Sequence, residues 1–358
     1  MTGPTGGGHH GDVTRPRIAL AMMDGLADLA FRPEHWARLE AVGELIDRRP
    51  LVGFDDDRAA AVLGQADVLV GHWGCPTLTA DVLALAPDLA LFAYAAGTVK
   101  WQVVDAVWAR HIVVTSAAAA NARPVAEYTV AMIVLAGKGA LLYAERERDP
   151  EVAVPLDPMR VGNLGKRIGL VGASFVGRLV IELLGAYDLQ VAVCDPYLSA
   201  DEAERLGVRL MALDELCAWC DVLSLHAPDV SSTRRMIGAP QLAALRDGAT
   251  VINTARGALI DHDALVVELQ ARRLAAVLDV TDPEPLPAES PLRRLPNVIL
   301  TPHIAGAMGR EVWRLADLAV AEVERFAAGE PPLHPVRQVD LDRIAWPRPG
   351  GCRRGCAR

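Results

Sequence analysis

Three polar side chains in the second half of the sequence combine an anion-binding group with an acid–base pair. They are Arg256, Glu284 and His303, and each lies at or shortly after the end of a short apolar run. An arginine forks onto a carboxylate and polarises a neighbouring carbonyl group, while an imidazole gives or takes a hydroxyl proton and a glutamate orients that imidazole. These residue types suit hydride chemistry at a hydroxyl-bearing carbon beside a carboxylate, with a nicotinamide cofactor performing the redox step.

A glycine-bounded turn predicts that cofactor. The apolar run Ile168–Val171 leads into Gly172-Ala173-Ser174-Phe175-Val176-Gly177, and apolar residues then recur at helical spacing. Gly172 permits a tight turn and Gly177 lets helix and strand pack closely, so that backbone N–H groups can meet a pyrophosphate. Ser174 stands where the motif usually has its middle glycine, and an ordinary α/β turn is the alternative interpretation.

Asp195 favours the dinucleotide interpretation. It follows a second apolar run, Leu189–Cys194, and stands 18 residues past Gly177, close to the ~20 residues expected for the carboxylate that binds the adenosine ribose. A carboxylate at this position repels a 2′-phosphate, and the adjacent Pro196-Tyr197 brings no arginine that could bind one. We therefore expect NAD rather than NADP as the cofactor.

The apolar runs that position these residues alternate with helical segments, which is typical of parallel sheets covered by helices. Helices are predicted at 33–46, from Pro124 to about Glu145, at 213–220 and at 310–328. Strands are predicted at 18–22, 51–54, 66–70, 89–93, 112–115, 168–171, 190–194, 222–225, 250–253, 275–280 and 298–300. The expected fold class is α/β, with two Rossmann-like domains of doubly wound parallel sheets and the cofactor domain inserted into the substrate (catalytic) domain.

The expected domain boundaries follow from this pattern. We expect a disordered leader at 1–16, a substrate domain made of 17–122 and 307–345, an NAD-binding domain at 123–306 and a disordered tail at 346–358. Two chain crossings between domains predict a cleft, and small ligands commonly bind in clefts of this kind.

Composition narrows the class of partner. The 358 residues are 51% apolar and 23% charged, with a net charge of −9, which is globular and lacks the basic surface that nucleic-acid binding requires. The apolar run 125–136 is shorter than the ~20 residues of a membrane span, and 1–17 does not resemble a secretory signal. We expect a cytoplasmic protein that binds neither nucleic acid nor membrane. No metal site is expected, because Cys217 and Cys220 have no accompanying cysteine pair or histidine cluster.

Several motifs in register resemble the D-isomer-specific 2-hydroxyacid dehydrogenases. They are Asn253-Thr254-Ala255-Arg256-Gly257, Asp279-Val280 with Glu284-Pro285, and Thr301-Pro302-His303, and the similarity runs from about Ala66 to Pro335. The resemblance implies that Arg256, Glu284 and His303 are catalytic, with Glu284 and His303 as the proton relay. It also implies cofactor contacts at Gly172, Ser174, Phe175, Val176, Gly177, Asp195, His226, Ala227, Pro228, Thr233, Thr254, Asp279 and Gly306.

The resemblance further implies that a loop of the first domain holds the substrate carboxylate on its backbone N–H groups. Glycine at 97 fits close approach to an anion. Lys100, Trp101 and Thr281 depart from the usual family pattern, so Lys100 is either a substrate contact or a surface charge, and Trp101 either a substrate contact or a core residue. The expected substrate-binding residues are Ala96, Gly97, Thr98, Lys100, Asn121 and Arg256.

The expected function is therefore interconversion of a 2-oxo acid and a D-2-hydroxy acid by hydride transfer with NAD(H). Two alternatives stay open, because a fold does not fix a function. One is NAD-dependent oxidation of formate or phosphite, and the other is a non-catalytic NAD-sensing scaffold. Members of the family usually pair through the cofactor domain, which implies a homodimer.

Ser174 supplies a first testable prediction. Its hydroxymethyl group narrows the approach of the backbone to a pyrophosphate, yet its hydroxyl can donate a hydrogen bond in return. We expect Ser174→Gly to change the Kd for NADH by less than about tenfold, or roughly 1.4 kcal/mol, in a fluorescence titration. A larger loss of affinity would instead identify the serine as a principal contact.

Overall fold

The computed structural model describes residues 15–151 and 161–343. The predicted leader and tail lie outside the described residues, apart from Arg15 and Pro16. Two compact units divide the chain. Unit 1 contains the described residues up to Ala120 together with Gly309–Val339, and unit 2 contains Asn121–Met308 and the described residues from Asp340 onward.

Each unit is built on one parallel sheet. The sheet of unit 1 has the order β2-β1-β3-β4-β5, and the sheet of unit 2 has the order β12-β11-β10-β9-β6-β7-β8. The strands are β1 Arg17–Ala21, β2 Glu44–Leu45, β3 Val68–Gly71, β4 Leu91–Tyr94, β5 Val113–Ser116, β6 Arg167–Val171, β7 Gln190–Cys194, β8 Arg209–Leu210, β9 Val222–Leu225, β10 Thr250–Asn253, β11 Ala275–Leu278 and β12 Val298–Leu300. The α/β fold class with two Rossmann-like sheets is thus confirmed.

Helices cover both sheets, which explains why the central strands are continuous apolar runs. The helices are α1 Leu26–Ala30, α2 Pro33–Val42, α3 Asp57–Leu63, α4 Ala80–Leu85, α5 Asp105–Ala109, α6 Ala118–Gly137, α7 Ala140–Arg148, α8 Phe175–Leu184, α9 Ala200–Arg205, α10 Leu213–Trp219, α11 Ala239–Ala244, α12 His262–Gln270 and α13 Val312–Ala327. In unit 1, α13 lies against β4, and its Ala316, Val320 and Val323 belong to the same apolar core as Leu91 and Ala93. In unit 2, α6 packs Ala126, Val130 and Ile133 against β6.

Three expected elements differ in the structure, and one strand was not expected. The predicted strand 51–54 is a single bridge, in which Leu51 alone pairs with Ala21, and the end of the predicted helix 33–46 is instead β2. The predicted strand 275–280 stops at Leu278. β8 was missed, because both of its side chains are exposed and leave no apolar run.

The helix predicted to begin at Pro124 begins six residues earlier, at Ala118, and Pro124 lies inside it. Alanine has the highest helix propensity, so the preceding alanine run extends the helix toward its N-terminus. The missing N–H of Pro124 then forgoes one bond to the carbonyl of Ala120. The predicted helix also breaks near Gly139, whose φ is +63°, and continues as α7.

Membrane-spanning potential is limited among the described residues. No single helix there is both long and apolar enough to cross a bilayer, although α6 and α7 together pass by length and composition with a bend of 59° between them. Eight residues of α6 are buried in the structure.

A buried carboxylate ties the last part of unit 1 to α13. Glu322 is 2% exposed, and its oxygens accept hydrogen bonds from the backbone N–H groups of Leu333 and His334 at 3.1 and 2.7 Å. The chain then joins β5, where the Val336 N–H donates to the Val114 carbonyl at 2.8 Å. Because a buried carboxylate needs partners for its charge, this contact fixes the path of the segment 333–336.

We expect Glu322→Ala to destabilise unit 1, because it leaves two backbone N–H groups without their charged acceptor. The expected loss is about 2–4 kcal/mol, which should lower the unfolding midpoint by about 5–10 °C in differential scanning calorimetry. The control is Glu330→Ala, which removes an exposed pair with Arg325 that contributes at most about 1 kcal/mol. Equal midpoints for the two variants would contradict the role given to Glu322.

Candidate active site

The expected catalytic and cofactor-binding residues of unit 2 lie mainly at one edge of its sheet, where the parallel strands reach their carboxyl ends. β6 pairs with β7 on one side and with β9 on the other, so the chain order reverses beside β6. Ligands of open α/β sheets bind at the carboxyl ends of strands at such a switch point. The loops that follow β6, β7, β9, β10, β11 and β12 carry Gly172, Asp195, His226, Arg256, Asp279 and His303 respectively.

The turn after β6 has the geometry that close backbone approach requires. Gly172 has φ +101°, and a Cβ added to it would lie 2.8 Å from the backbone N of Ala227. A Cβ on Gly177 would lie 2.2 Å from the Gly172 carbonyl oxygen. Only glycine therefore lets α8 and the loop after β9 pack against this turn.

Ser174 is the N-cap of α8. Its Oγ accepts a hydrogen bond from the Gly177 N–H at 3.4 Å, so the residue that departs from the glycine pattern stabilises the helix start instead. Phe175 is 62% exposed, and Val176 is half-buried. The exposed first turn of α8 thus offers a helix N-terminus, which favours an anion such as a pyrophosphate.

Asp195 lines a cavity of about 450 Å³ that is largely open to solvent. Its carboxylate accepts hydrogen bonds from the backbone N–H groups of Ala173 and Tyr197 at 2.6 and 2.7 Å, which links the end of β7 to the glycine turn. Each oxygen keeps a second lone pair that a ribose hydroxyl can use. The cavity is lined by Cys194, Asp195, Pro196, Leu210, Met211, Ala212 and Glu215, a mainly apolar set that suits an adenine base.

The loop after β9 is compact and buried. His226 is 4% exposed, and burial lowers the pKa of its imidazole to about 3, so it is neutral at physiological pH. Its Nε2 lies 3.0 Å from Ser224 Oγ. Thr233 Oγ donates to the Pro228 carbonyl and accepts from the Val230 N–H, so Thr233 shapes the loop itself. His226 and Ala227 lie against the glycine turn.

Asn253 folds the turn that presents Arg256. The Asn253 amide donates to the Arg256 carbonyl at 2.7 Å and accepts from the Ala255 N–H at 3.1 Å. Arg256 is half-buried. Burial lowers the pKa of its guanidinium, while Glu284 and Asp229 raise it; an arginine remains charged in either case.

Gly257 lets the turn after β10 press against the loop after β11. A Cβ on Gly257 would lie 2.0 Å from the backbone carbon of Thr281 and 2.6 Å from the Asp282 N. This contact holds the turn of Arg256 beside the loop that carries Glu284.

Glu284 and His303 form the predicted pair. His303 Nδ1 lies 2.8 Å from Glu284 Oε1, and the two side chains are 49% and 34% exposed. His303 has φ +57°, a left-handed conformation that costs an L-residue free energy unless neighbouring bonds hold it. The pair leaves Nε2 of the imidazole as the ring nitrogen that can meet a ligand.

Those neighbouring bonds come from Asp279, which is 1% exposed. Its backbone carbonyl accepts from the His303 N–H at 2.9 Å. Its carboxylate accepts from the Ile304 and Ala305 N–H groups at 2.8 and 3.0 Å. In the structure, Asp279 therefore organises the loop after β12, and the predicted cofactor contact at this residue stays a prediction.

Asn121 and Gly306 meet each other in unit 2. The Asn121 side-chain oxygen accepts from the Ala307 N–H at 2.9 Å, and a Cβ on Gly306 would lie 3.2 Å from that oxygen. Thr254 Oγ lies 2.9 Å from Thr129 Oγ. Thr129 and the neighbouring Tyr128 were not predicted from the sequence, because both lie in an apolar helix and have no motif around them.

The predicted carboxylate-binding loop belongs to unit 1 and follows β4. Ala96 is buried and its carbonyl accepts from the Ala117 N–H at 2.9 Å, whereas Gly97 and Thr98 are partly exposed. Lys100 is 8% exposed and Trp101 is 38% exposed. The interpretations of Lys100 as a surface charge and of Trp101 as a core residue are therefore both wrong.

The residues at the edge of the unit 2 sheet fit a dinucleotide, since the glycine turn, the helix N-terminus, the Asp195 carboxylate and the apolar cavity succeed one another along β6, β7 and β8. Across the described ranges, no group of three or more His, Cys, Asp or Glu residues is arranged to hold a metal ion. Cys217 and Cys220 are fully buried in the apolar core of unit 2.

The sequence of this chain is similar to those of known proteins. The family model described as "D-isomer specific 2-hydroxyacid dehydrogenase, NAD binding domain" matches residues 130–305. The D-3-phosphoglycerate dehydrogenase of Mycobacterium tuberculosis is 34% identical over 292 residues, which cover 81% of this chain and 54% of that protein. The chain thus spans about half the length of that relative. The glyoxylate reductase of Korarchaeum cryptofilum is 30% identical over 279 residues, which cover 76% of this chain and 83% of the reductase.

A solved structure shows the same fold. The phosphoglycerate oxidoreductase from Rhizobium etli superposes with a TM-score of 0.75 at 24% identity, covering 90% of this chain and 99% of that one. The matched family model and the relative covered over most of its length establish that the chain belongs to the D-isomer-specific 2-hydroxyacid dehydrogenase family, with residues 130–305 matching its NAD-binding domain.

Proposed function

We propose that this protein is an NAD-dependent enzyme that interconverts a 2-oxo acid and a D-2-hydroxy acid. The observation that carries the proposal is the Glu284–His303 pair, whose side chains lie 2.8 Å apart beside the half-buried Arg256 at the cofactor edge of the unit 2 sheet. The names of the relatives, a D-3-phosphoglycerate dehydrogenase and a glyoxylate reductase, support the same class of substrate.

Each of the three residues has a distinct role in the proposed reduction. Arg256 binds the substrate carboxylate and polarises its 2-oxo group, because a half-buried guanidinium gains from pairing with an anion. NADH supplies the hydride when it is bound. As the carbonyl carbon accepts that hydride, the C=O π pair moves to oxygen, which takes a proton from His303 Nε2. Glu284 accepts from Nδ1 and stabilises the charged imidazolium.

The two units take separate roles in this proposal. Unit 2 holds NAD through the glycine turn, Asp195 and the loops after β9 and β10. Unit 1 supplies substrate contacts through Ala96, Gly97, Thr98 and Lys100, which follow β4. Support for this role comes from Gly97 and Thr98, which are partly exposed at the carboxyl end of a strand, where parallel sheets present ligand-binding groups.

The reducing cytoplasm is the proposed location. Cys75, Cys194, Cys217 and Cys220 are free thiols, and free thiols persist in reducing compartments.

We also propose a homodimer formed through unit 2. Helix α7 has no buried residue although it carries Leu141, Leu142 and Tyr143, and Leu135 on α6 is 47% exposed. Apolar side chains on two successive helices of one unit are typical of an interface.

A spectrophotometric screen tests the proposed activity. We expect the protein to oxidise NADH, in preference to NADPH, with at least one acid among glyoxylate, pyruvate, hydroxypyruvate, phenylpyruvate, 2-oxoglutarate and phosphonate-bearing 2-oxo acids. Arg256→Ala should reduce kcat/KM by at least about 100-fold and leave the Kd for NADH within about threefold, since its proposed role is to bind the substrate and not the cofactor.

The matched control is Arg294→Ala, an exposed arginine of the same unit, which should keep full activity. Unchanged turnover in Arg256→Ala would refute the role of that arginine. Turnover with formate or phosphite but with no 2-oxo acid would favour the one-carbon or phosphite alternative. NADH binding in the micromolar range without turnover of any of these substrates would favour the scaffold.

Light scattering tests the dimer. We expect the protein to have twice the mass of one chain, and Tyr143→Glu to reduce that mass toward the monomer, because a charge placed in an apolar interface loses its hydration. Val267→Glu on α12, also at an exposed apolar side chain, is the control and should remain dimeric. A wild-type protein that elutes with the mass of one chain overturns the proposal.

A further inference from the structure

Three polar side chains of α6 lie on one face of the helix and reach the loops of the site. They are Asn121, Tyr128 and Thr129, spaced at i, i+7 and i+8, which places them on the same stripe. Asn121 accepts from the Ala307 N–H, Tyr128 Oη lies 3.0 Å from Thr301 Oγ, and Thr129 Oγ lies 2.9 Å from Thr254 Oγ. None of these contacts reaches a predicted catalytic residue directly, so their effect on catalysis depends on what the contacted loops hold.

The contact between Tyr128 and Thr301 has a fixed direction. Thr301 Oγ lies 2.7 Å from Asp279 Oδ1 and donates to it, because a carboxylate can only accept. A hydroxyl has one proton to give, so Thr301 must accept from Tyr128. The result is an ordered chain of hydrogen bonds from Tyr128 through Thr301 to Asp279. Burial, together with the negative charge of Asp279, raises the pKa of Tyr128, which keeps its hydroxyl protonated as the first donor.

This series of hydrogen bonds ends at Asp279, the residue that holds the loop of His303. Asp279 accepts the N–H groups of Ile304 and Ala305, and its carbonyl accepts the His303 N–H. His303 itself has φ +57°, a conformation that costs about 1–3 kcal/mol and persists only where the surroundings over-determine it. The hydroxyl of Thr301 therefore bonds to the same carboxylate that holds Ile304 and Ala305, the two residues after His303.

We propose that Tyr128 and Thr301 are positioning residues, whose hydroxyl chain orients the Asp279 carboxylate and thereby holds His303 in place for proton transfer. The inference rests on the proposed function, in which His303 exchanges the proton of the substrate. Each hydroxyl acts through Asp279 and touches neither substrate nor cofactor.

Steady-state kinetics of three single variants tests the hydroxyl chain from Tyr128 through Thr301 to Asp279. Thr301→Val removes the hydroxyl at nearly constant volume and should lower kcat by about tenfold or more, with KM for the 2-oxo acid within about threefold, because a misplaced imidazole affects the chemical step rather than substrate binding. Thr301→Ser keeps the hydroxyl and should restore kcat to within about threefold of wild type. Tyr128→Phe should lower kcat by a smaller factor, since Thr301 still donates to Asp279.

Additivity distinguishes a chain from two separate contacts. The double variant Tyr128→Phe/Thr301→Val should be no slower than Thr301→Val, because both changes break the same chain. Tyr187→Phe, at a tyrosine of unit 2 that is 43% exposed, is the matched control and should leave kcat unchanged. Equal losses in Thr301→Ser and Thr301→Val would overturn the proposal, since the hydroxyl would then not be the operative group.

Amide hydrogen exchange provides a readout that does not depend on activity. Thr301→Val should speed exchange in the peptide that contains Ile304 and Ala305, whose N–H groups Asp279 accepts, while exchange in β6 stays as in wild type. If the wild-type protein turns over no 2-oxo acid, the proposed function fails. Faster exchange in Thr301→Val would in that case still support the hydroxyl chain that holds the loop. Unchanged exchange in Thr301→Val overturns the role of the hydroxyl chain, whether or not the protein is active. Faster exchange in Thr301→Val together with an unchanged kcat, in an active protein, overturns it as well.

Discussion

The buried carboxylate of Asp279 is the constraint on which the candidate site depends. A carboxylate removed from water costs several kcal/mol unless hydrogen bonds replace its hydration. Here the replacements come from Thr301, Ile304 and Ala305, which all belong to one loop. The need to satisfy one charge therefore determines the conformation of a five-residue segment, and that segment contains the imidazole proposed to do the acid–base work. The backbone N–H of Asp279 also donates to the Asn253 carbonyl. This bond connects the loop of His303 to the turn of Arg256.

The charges of the site are balanced within a small region. Arg256 loses hydration through burial, and the negative charges of Glu284 and Asp229 compensate for part of that loss. Glu284 is at the same time the partner of His303, so one carboxylate faces both a permanent cation and a group that becomes cationic when protonated. In the proposed function, the carboxylate of the substrate pairs with Arg256 in addition to these two negative charges.

Sequence patterns predicted the strand ends well and the contacts between loops poorly. Apolar runs that end in a polar residue located the turns that carry Arg256 and His303, because a strand buried on both faces must be apolar until it leaves the sheet. β8 has two exposed residues and therefore no such run. Tyr128 was missed for a different reason: its partner Thr301 is 173 positions away, and a tyrosine in an apolar helix is usually packing. The burial of Lys100 and the exposure of Trp101 reverse the usual preferences of these residues, which only the folded loop could reveal.

Gly257 has a consequence for the mutational tolerance of this chain. It carries no functional group, yet even a methyl group on its Cα would overlap the backbone of Thr281 and Asp282, which flexible side-chain movement cannot relieve. Replacement by alanine would push the Arg256 turn away from the Glu284 loop and disturb the site without removing a single chemical group. Glycine is therefore required at this position on steric grounds alone, although its side chain takes no part in the chemistry.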